Sequence, residues 1–282
     1  MILDANAKIN WTLNITGRDE KGYHLLDSLF QHISLHDTLT LEEAPETTLS
    51  VCCHTGAVIP TDESSLIMRA ARLLQKESGC GRGSKMHLES FIPVCAGLGG
   101  GSADAAAALL GLNRLWELRF SPSRLALLAL RLGADIPYCL QEAPMRVTGI
   151  GEKMTPVPPL PSLPLVLLRP DAGLSTADVF RAFDTLPPDP PADTERFLAA
   201  LRAGDLPEMT RFGGNMLQKP ACALAPGIES AAQALWDSGA GFVSMTGSGS
   251  VVFGAYENSR AADAAYLPLK DRFPVCIRTE TV

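Results

Sequence analysis

The chain has 282 residues, 46% of them hydrophobic, enough to bury a full core and long enough for two domains rather than one. Its 24 Lys and Arg against 31 Asp and Glu give a net charge of −7, and the absence of any basic run argues against nucleic-acid binding. No apolar stretch approaches the ~20 residues of a membrane helix, and seven cysteines without a CxxC pair fit free thiols in a reducing cytoplasm.

The first residues, MILDANAKINW, carry Asp4 and Lys8 where a signal peptide would have its apolar core, so no leader is expected. From Ala7 to Thr16 the residues alternate. Ala7, Ile9, Trp11, Leu13 and Ile15 share one face, and Lys8, Asn10, Thr12, Asn14 and Thr16 share the other. That pattern predicts a half-buried strand with a polar face. A turn over 17–22 leads to more strand, as far as about Leu41. His32 and His36 fall on this second strand, about 13 Å apart along one face, too far for a single metal. Cys52 and Cys53 lie in another strand-like run, where neighbours face opposite ways and do not form a metal pair.

Helical spacing covers 64–77, a strand is expected around Lys85 to Phe91, and a helix spans Ala103 to Leu118. A further helix, Pro122 to Leu132, starts at Ser121-Pro122 and is expected to end on Gly133 as a C′ glycine. Six of the fifteen residues from Pro156 to Pro170 are proline, which places a domain boundary near 152–162, with halves at 1–155 and 156–282. The second half reads as a strand (163–168), a helix (176–183), a Pro-rich loop and a helix from Thr194. Then come a helix over 228–238, two short strands around GSGS, a helix over 259–269 and a last strand (275–281). Helices on one face of a mostly antiparallel sheet make the class α+β.

The passage PVCAGLGGGSADAAAALL, residues 93–110, places four glycines in five positions and then enters a helix. Backbone N–H groups without side chains, at the positive end of a helix dipole, suit a phosphate. The loop lacks the Lys-Ser/Thr pair of a Walker A motif and fails the dinucleotide G-x-G-x-x-G pattern. A glycine cluster also serves as a plain turn. By spacing alone, Lys8 and Asp135 read equally well as a phosphoryl-transfer pair or as a solvated strand charge and a turn residue.

Several separated motifs carry a resemblance. Pro93 to Ala107 resembles the phosphate-binding motif of the GHMP kinases. Within that superfamily the chain is similar to the 4-diphosphocytidyl-2-C-methyl-D-erythritol kinases. AKINWTLNITGRDEKGYHLLDSLFQ resembles their N-terminal signature, and LGADIPYCL, LSTADVF, NMLQ and MTGSGSVVFG resemble later ones. The resemblance runs from residue 7 to about 255. It implies the two-domain GHMP kinase fold, with an N-terminal half like domain 2 of ribosomal protein S5 and a ferredoxin-like C-terminal half. It also implies ATP with Mg2+, a small-molecule alcohol acceptor, neither nucleic acid nor membrane as partner, and a cytoplasmic enzyme of isoprenoid precursor synthesis. The rival acceptors within the superfamily are mevalonate, homoserine and sugars; the rival class is a non-catalytic nucleotide-binding relative.

Carried onto this sequence, the resemblance makes Lys8 and Asp135 catalytic. ATP is expected at Ser65, Pro93, Val94, Cys95, Ala96, Gly97, Leu98, Gly99, Gly100, Gly101, Ser102 and Ala103. The cytidylyl acceptor is expected at Asn10, Tyr23, His24, Thr176 and Phe180. The metal ligands and the oligomeric state stay open. Three positions depart from the family pattern, which has Gly where Cys95 stands, Asn where Ser65 stands and a small polar residue where Val251 stands.

Overall fold

The alternating run at the N-terminus becomes one long strand in the computed structural model, which describes residues 1–170 and 173–282. In chain order the first half holds β1 (Ile2–Arg18), β2 (His24–Ala44), β3 (Thr48–Cys53), α1 (Leu66–Ser78), β4 (Gly83–Ser90), α2 (Gly100–Leu115), α3 (Pro122–Leu130), α4 (Ile136–Cys139), β5 (Met145–Gly149) and β6 (Lys153–Pro156). It continues with β7 (Pro164–Arg169), α5 (Thr176–Phe183), α6 (Thr194–Ala203), α7 (Leu206–Phe212), β8 (Gly214–Asn215), α8 (Gln218–Leu224), α9 (Gly227–Asp237), β9 (Phe242–Met245), β10 (Val252–Ala255), α10 (Ser259–Leu269) and β11 (Val275–Glu280). Helices and largely antiparallel sheets give the α+β class.

By contact the chain divides into two units. Met1–Ala7, Leu35–Val94 and Gly99–Glu142 form the first; Lys8–Ser34, Cys95–Leu98 and Ala143–Val282 form the second. A cut at 155/156 divides the sequence, whereas these units divide the contacts: β1 from Lys8 and β2 up to Ser34 group with the later residues.

In the first unit the strand order is β3-β4-β2-β1. Leu39 and Leu41 on β2 stand opposite Leu88 and Met86 on β4, and this apolar face packs under α1 and α2. The intervening residues, Lys85, His87 and Glu89, turn the other way and are exposed or half-buried. Alanines at 103 and 105–108 keep α2 slim against its neighbours, and Gly111 meets Leu41 so closely that a Cβ there would lie 2.2 Å from its side chain.

The second unit holds the antiparallel sheet β11-β7-β10-β9, and β8-β1-β2-β5-β6 in the other sheet. Two sequence expectations are corrected here, and one hairpin stands where the sequence pattern gives no element. Residues 7–14 of β1 are buried on both faces, because Trp11 packs among Phe197, Phe242 and Phe253 while the polar residues are hydrogen-bonded within the unit. Residues 145–156 form the β5–β6 hairpin, turning on Gly149 and Gly151 at φ 73° and 114°. In the first unit, α3 ends at Leu130. The N–H groups of Leu132 and Gly133 both reach the Ala129 carbonyl, and Gly133 is not in the left-handed region.

Candidate active site

The polar residues of β1 enter the second unit as Lys8, Asn10, Thr12 and Asn14, and their burial requires partners. Lys8, 3% exposed, donates from Nζ to Asn10 Oδ1 at 2.7 Å, and its ammonium lies 4.9 Å from the Phe30 ring centre. The Asn10 amide is held at both ends. Its oxygen also lies 3.3 Å from Thr246 Oγ1, whose single hydrogen is shared with the Gly97 carbonyl, and its Nδ2 donates to Ser28 Oγ at 2.9 Å. One amide hydrogen of Asn10 is left for a ligand. A cation–π contact and a charge-assisted bond thus hold the lysine head in one place.

Residues Cys95–Leu98 of the glycine loop lie in this same unit. The Lys8 N–H donates to the Leu98 carbonyl, Thr246 Oγ1 donates to the Gly97 carbonyl, and the Val251 N–H donates to Ala96. Gly97, at φ 76°, passes so close to Thr246 that a Cβ would sit 2.1 Å from its carbonyl oxygen. Glycine there is a requirement of close approach. The GSGS loop is itself clamped. Asn215 Nδ2 donates to the Met245 and Gly247 carbonyls, and the Met245 N–H donates to Gln218 Oε1. NMLQ and MTGSGS are visible as motifs in the sequence, but nothing in one chain says that the first fastens the second.

In the first unit, Pro93 is buried and Val94 exposed, and Gly99 adopts the left-handed conformation as the N-cap of α2. The helix starts at Gly100, three residues before the sequence suggests, so Gly100, Gly101 and Ser102 form its first turn. Gly99 has no side chain to cap them; the Ser102 N–H turns back to the Gly99 carbonyl at 3.0 Å, while the N–H groups of Gly100 and Gly101 have no intrahelical acceptor. A Cβ on Gly100 would lie 2.9 Å from Ile92. The result is a bare helix N-terminus, the arrangement that accepts phosphate oxygens. Ser65 precedes α1, buried, with its N–H donated to the Asp62 carbonyl. Asp135 stands half-buried as the N-cap of α4 and makes no side-chain cap bond there.

The remaining predicted residues cluster in the second unit. His24, 13% exposed, stacks on Phe180 with ring centres 4.6 Å apart and donates from Nε2 to Asp184 Oδ1 at 2.8 Å. Arg18 also pairs with Asp184 at 2.5 Å. Bonds from Arg18, then from His24, hold the Asp184 carboxyl below its usual range, so it is ionised at neutral pH. Tyr23 beside them is 61% exposed. Thr176 shares a 2.8 Å bond with Ser248 Oγ, joining the start of α5 to the GSGS loop. Phe180 is half-buried against the core of the unit, so it has both a packing contact and a ring contact.

Family models for the GHMP kinases match residues 65–142 (N-terminal domain) and 197–275 (C-terminal). A 4-diphosphocytidyl-2-C-methyl-D-erythritol kinase of Moorella thermoacetica is 39% identical over 286 residues, 100% of this chain and 99% of its own. The chain belongs to the 4-diphosphocytidyl-2-C-methyl-D-erythritol kinases. A kinase of that name from Alkaliphilus metalliredigens is 36% identical over 94% of this chain and 90% of its own. A crystal structure of a 4-(cytidine 5'-diphospho)-2C-methyl-D-erythritol kinase superposes with a TM-score of 0.85 at 33% identity, covering 100% of this chain and 99% of that one. ATP use follows from membership of this kinase family. No described helix is long and apolar enough to cross a membrane.

The departures from the kinase family pattern have physical readings. Cys95 sits at φ 54°, in the left-handed region, with its side chain exposed. Glycine takes that conformation without penalty, and a side chain costs about 1 kcal/mol there. Val251 is fully buried and touches the loop through its backbone, so its apolar side chain fits the packing it meets.

Two carboxyls that the sequence does not single out lie in the first unit. Asp37 on β2 accepts the N–H groups of Phe91 and Ile92 at 2.6 and 2.8 Å and the Ser90 hydroxyl at 3.1 Å. It thereby fixes the chain just before Pro93. Asp104, in the second turn of α2, is hydrogen-bonded to Asp37, and its Oδ1 has no partner among the described residues. Burial first, and the neighbouring Asp37 second, raise the Asp104 pKa well above the usual carboxyl range. Burial also raises Asp37, against the donors that lower it. The pair holds a proton that the unfolded chain releases near pH 4. Folded protein therefore binds more protons than unfolded protein above that pH, and stability falls as pH rises from there toward the raised native value. Asp104→Asn keeps a donor to Asp37 without the proton requirement. Its melting temperature should fall less between pH 5 and 8 than that of the parent and lie above it at pH 8. Each recovered kcal/mol is worth about 2–4 °C in domains of 150–250 residues. Parallel pH curves for the two proteins would show that Asp104 is ionised at pH 5 already.

Proposed function

We propose that this chain transfers the γ-phosphoryl group of ATP to the 2-hydroxyl of 4-diphosphocytidyl-2-C-methyl-D-erythritol. The full-length relationship to kinases of that name carries the reading. Residues 93–103 and Ser65 hold ATP, whose phosphate oxygens take the uncapped N–H groups at the start of α2. The Ser102 hydroxyl would offer an oxygen donor to Mg2+, a hard cation that would neutralise charge on the phosphates.

Asp135 accepts the proton of the acceptor hydroxyl as that oxygen bonds to the γ-phosphorus. The bond from phosphorus to the β–γ bridging oxygen breaks, and ADP leaves with the electron pair. Lys8, fixed by Asn10 and Phe30, supplies positive charge to the developing alkoxide. Tyr23, His24 and Phe180 hold the cytidine end, with Thr176 and Asn10 as further polar contacts. An imidazole oriented by an ionised Asp184 and a phenyl ring give a base both an edge to bond and a face to stack on. A cytoplasmic enzyme is in keeping with seven cysteines that form no disulfide.

The cytidine handle is the part to test. Removing one hydrogen bond and one stacking partner is worth about 1–1.5 kcal/mol, or roughly tenfold in binding. His24→Ala should therefore raise KM for the cytidylyl acceptor about tenfold while KM for ATP stays within twofold. Against the same enzyme, 2-C-methyl-D-erythritol 4-phosphate should be a very poor acceptor, because the binding energy of the cytidylyl group is used to position the hydroxyl. If His24→Ala weakens ATP most, the residue lies at the other end of the site.

A further inference from the structure

The outer face of the β3–β4 pair in the first unit carries a set of side chains that phosphoryl transfer does not use. β3 runs parallel to β4, with Cys52 directly opposite Glu89 and Ser50 opposite His87. Alternate residues of a strand share a face, so Ser50, Cys52 and, just past the strand end, His54 face the same way as His87 and Glu89. Vicinal Cys52 and Cys53 cannot share a ligand, as the sequence suggests. The partners of Cys52 lie instead two residues on and across the ladder.

Here the side chains touch in series. Cys52 Sγ is 3.7 Å from His54 Nε2, and His54 Nε2 is 2.6 Å from Glu89 Oε2. Glu89 Oε1 in turn meets His87 Nε2 at 3.0 Å, and His87 Nδ1 meets Ser50 Oγ at 2.8 Å. The three donor atoms of Cys52, His54 and Glu89 all lie within 4.8 Å of one another. Ligands held about 2.0–2.3 Å from a tetrahedral zinc stand about 3.3–3.7 Å apart. The sulfur–nitrogen separation is already at that spacing, and the nitrogen–oxygen contact need open by less than about 1 Å once the shared proton gives way to a cation.

We propose that Cys52, His54 and Glu89 form a surface site for a zinc-class divalent cation, with a water completing the shell. Cys52 binds as the thiolate and releases its proton to solvent. Glu89 reaches across the ladder with one carboxylate oxygen toward His54 and the other toward His87. His87, anchored by Ser50, orients Glu89 from outside the shell, the usual support for a metal-bound carboxylate. His54 is steadied from two sides. Its backbone N–H donates to the Ser90 carbonyl at 2.9 Å, and its ring lies parallel to Phe91 with centres 4.3 Å apart. A thiolate with an imidazole selects zinc, cobalt or nickel, and does not suit Mg2+, which takes oxygen donors. The site is thus distinct from any cation that accompanies ATP. Occupied, it would tie the edge strand β3 to the end of β4, four residues before Pro93.

Titration of the reduced, metal-stripped full chain with Co2+ tests this directly. The expected result is one Co2+ per chain with a sulfur-to-cobalt charge-transfer band, lost on adding Zn2+. The band should be absent in Cys52→Ser and in His54→Ala, and kept in Cys53→Ser. All three side chains are at least partly exposed, and unchanged melting of the metal-free variants checks that they fold. Should one of them fail to fold, the other ligand variant carries the comparison. No thiolate band in the parent chain, or a band that persists in Cys52→Ser because another cysteine supplies it, would overturn the proposal.

Discussion

Asp135→Asn is expected to lower kcat by about 10²-fold or more while leaving KM for ATP nearly unchanged, since general-base assistance is worth roughly 10²–10⁴-fold. The amide matches the carboxylate in shape but cannot take the hydroxyl proton. Asp135 precedes Ile136-Pro137 at the head of α4, and its side chain is not used to cap that helix. The helix ladder, in which the Cys139 N–H reaches the Asp135 carbonyl, uses backbone alone and survives the change. The loss should therefore show in turnover per folded molecule, with melting temperature measured alongside. Near-parental kcat would mean that the proton leaves by another route.

Lys8→Ala is expected to cost about 10²–10³-fold in kcat, the scale on which one positioned charge or donor stabilises a transition state. The sequence presents Lys8 as a member of a half-buried strand's polar face, which would make the change harmless to folding. Its burial revises that expectation. Removing it takes a charge-assisted donor from Asn10 and a cation from the Phe30 face, at about 1–3 kcal/mol. Activity must therefore be read per folded molecule, and Lys8→Gln serves as the companion variant. The glutamine keeps a donor near Asn10 but not the charge. Stability restored in Lys8→Gln with turnover still lost would assign the charge to catalysis. Turnover restored along with stability would make Lys8 a packing residue.

What could be read in advance follows from the range of the interactions. Helices such as α5 and α10 stand where their local spacing puts them, because 3.6-residue periodicity is written in adjacent residues. The β5–β6 hairpin was hidden by Gly149 and Gly151, whose turn chemistry looks the same as the loosening of a chain near a boundary. The second buried face of β1 could not be seen either. Alternation of apolar and polar residues implies one wet face, unless partners such as Ser28 and Thr246, distant in sequence, satisfy the polar one.

The same distance in sequence governs the site. Glycines at 97, 99, 100 and 101 announce close approach by composition alone. Asp37 does not, since it is one carboxylate on a strand, more than fifty residues from the N–H groups of Phe91 and Ile92 that it holds. Asp104 is visible beside the loop, but its raised pKa depends on Asp37 and on burial, which only the fold supplies. His24 was legible through its dipeptide with Tyr23; its anchoring by Asp184 was not.

The most direct measurement is ATP-dependent ADP release by the purified chain with 4-diphosphocytidyl-2-C-methyl-D-erythritol, set against mevalonate, homoserine and galactose at equal concentration. Release that requires the cytidylyl acceptor, one ADP per phosphorylated product, with the other three at background, is the predicted result. Equal or faster turnover with any of the three, or ADP release that ignores the acceptor, would contradict it.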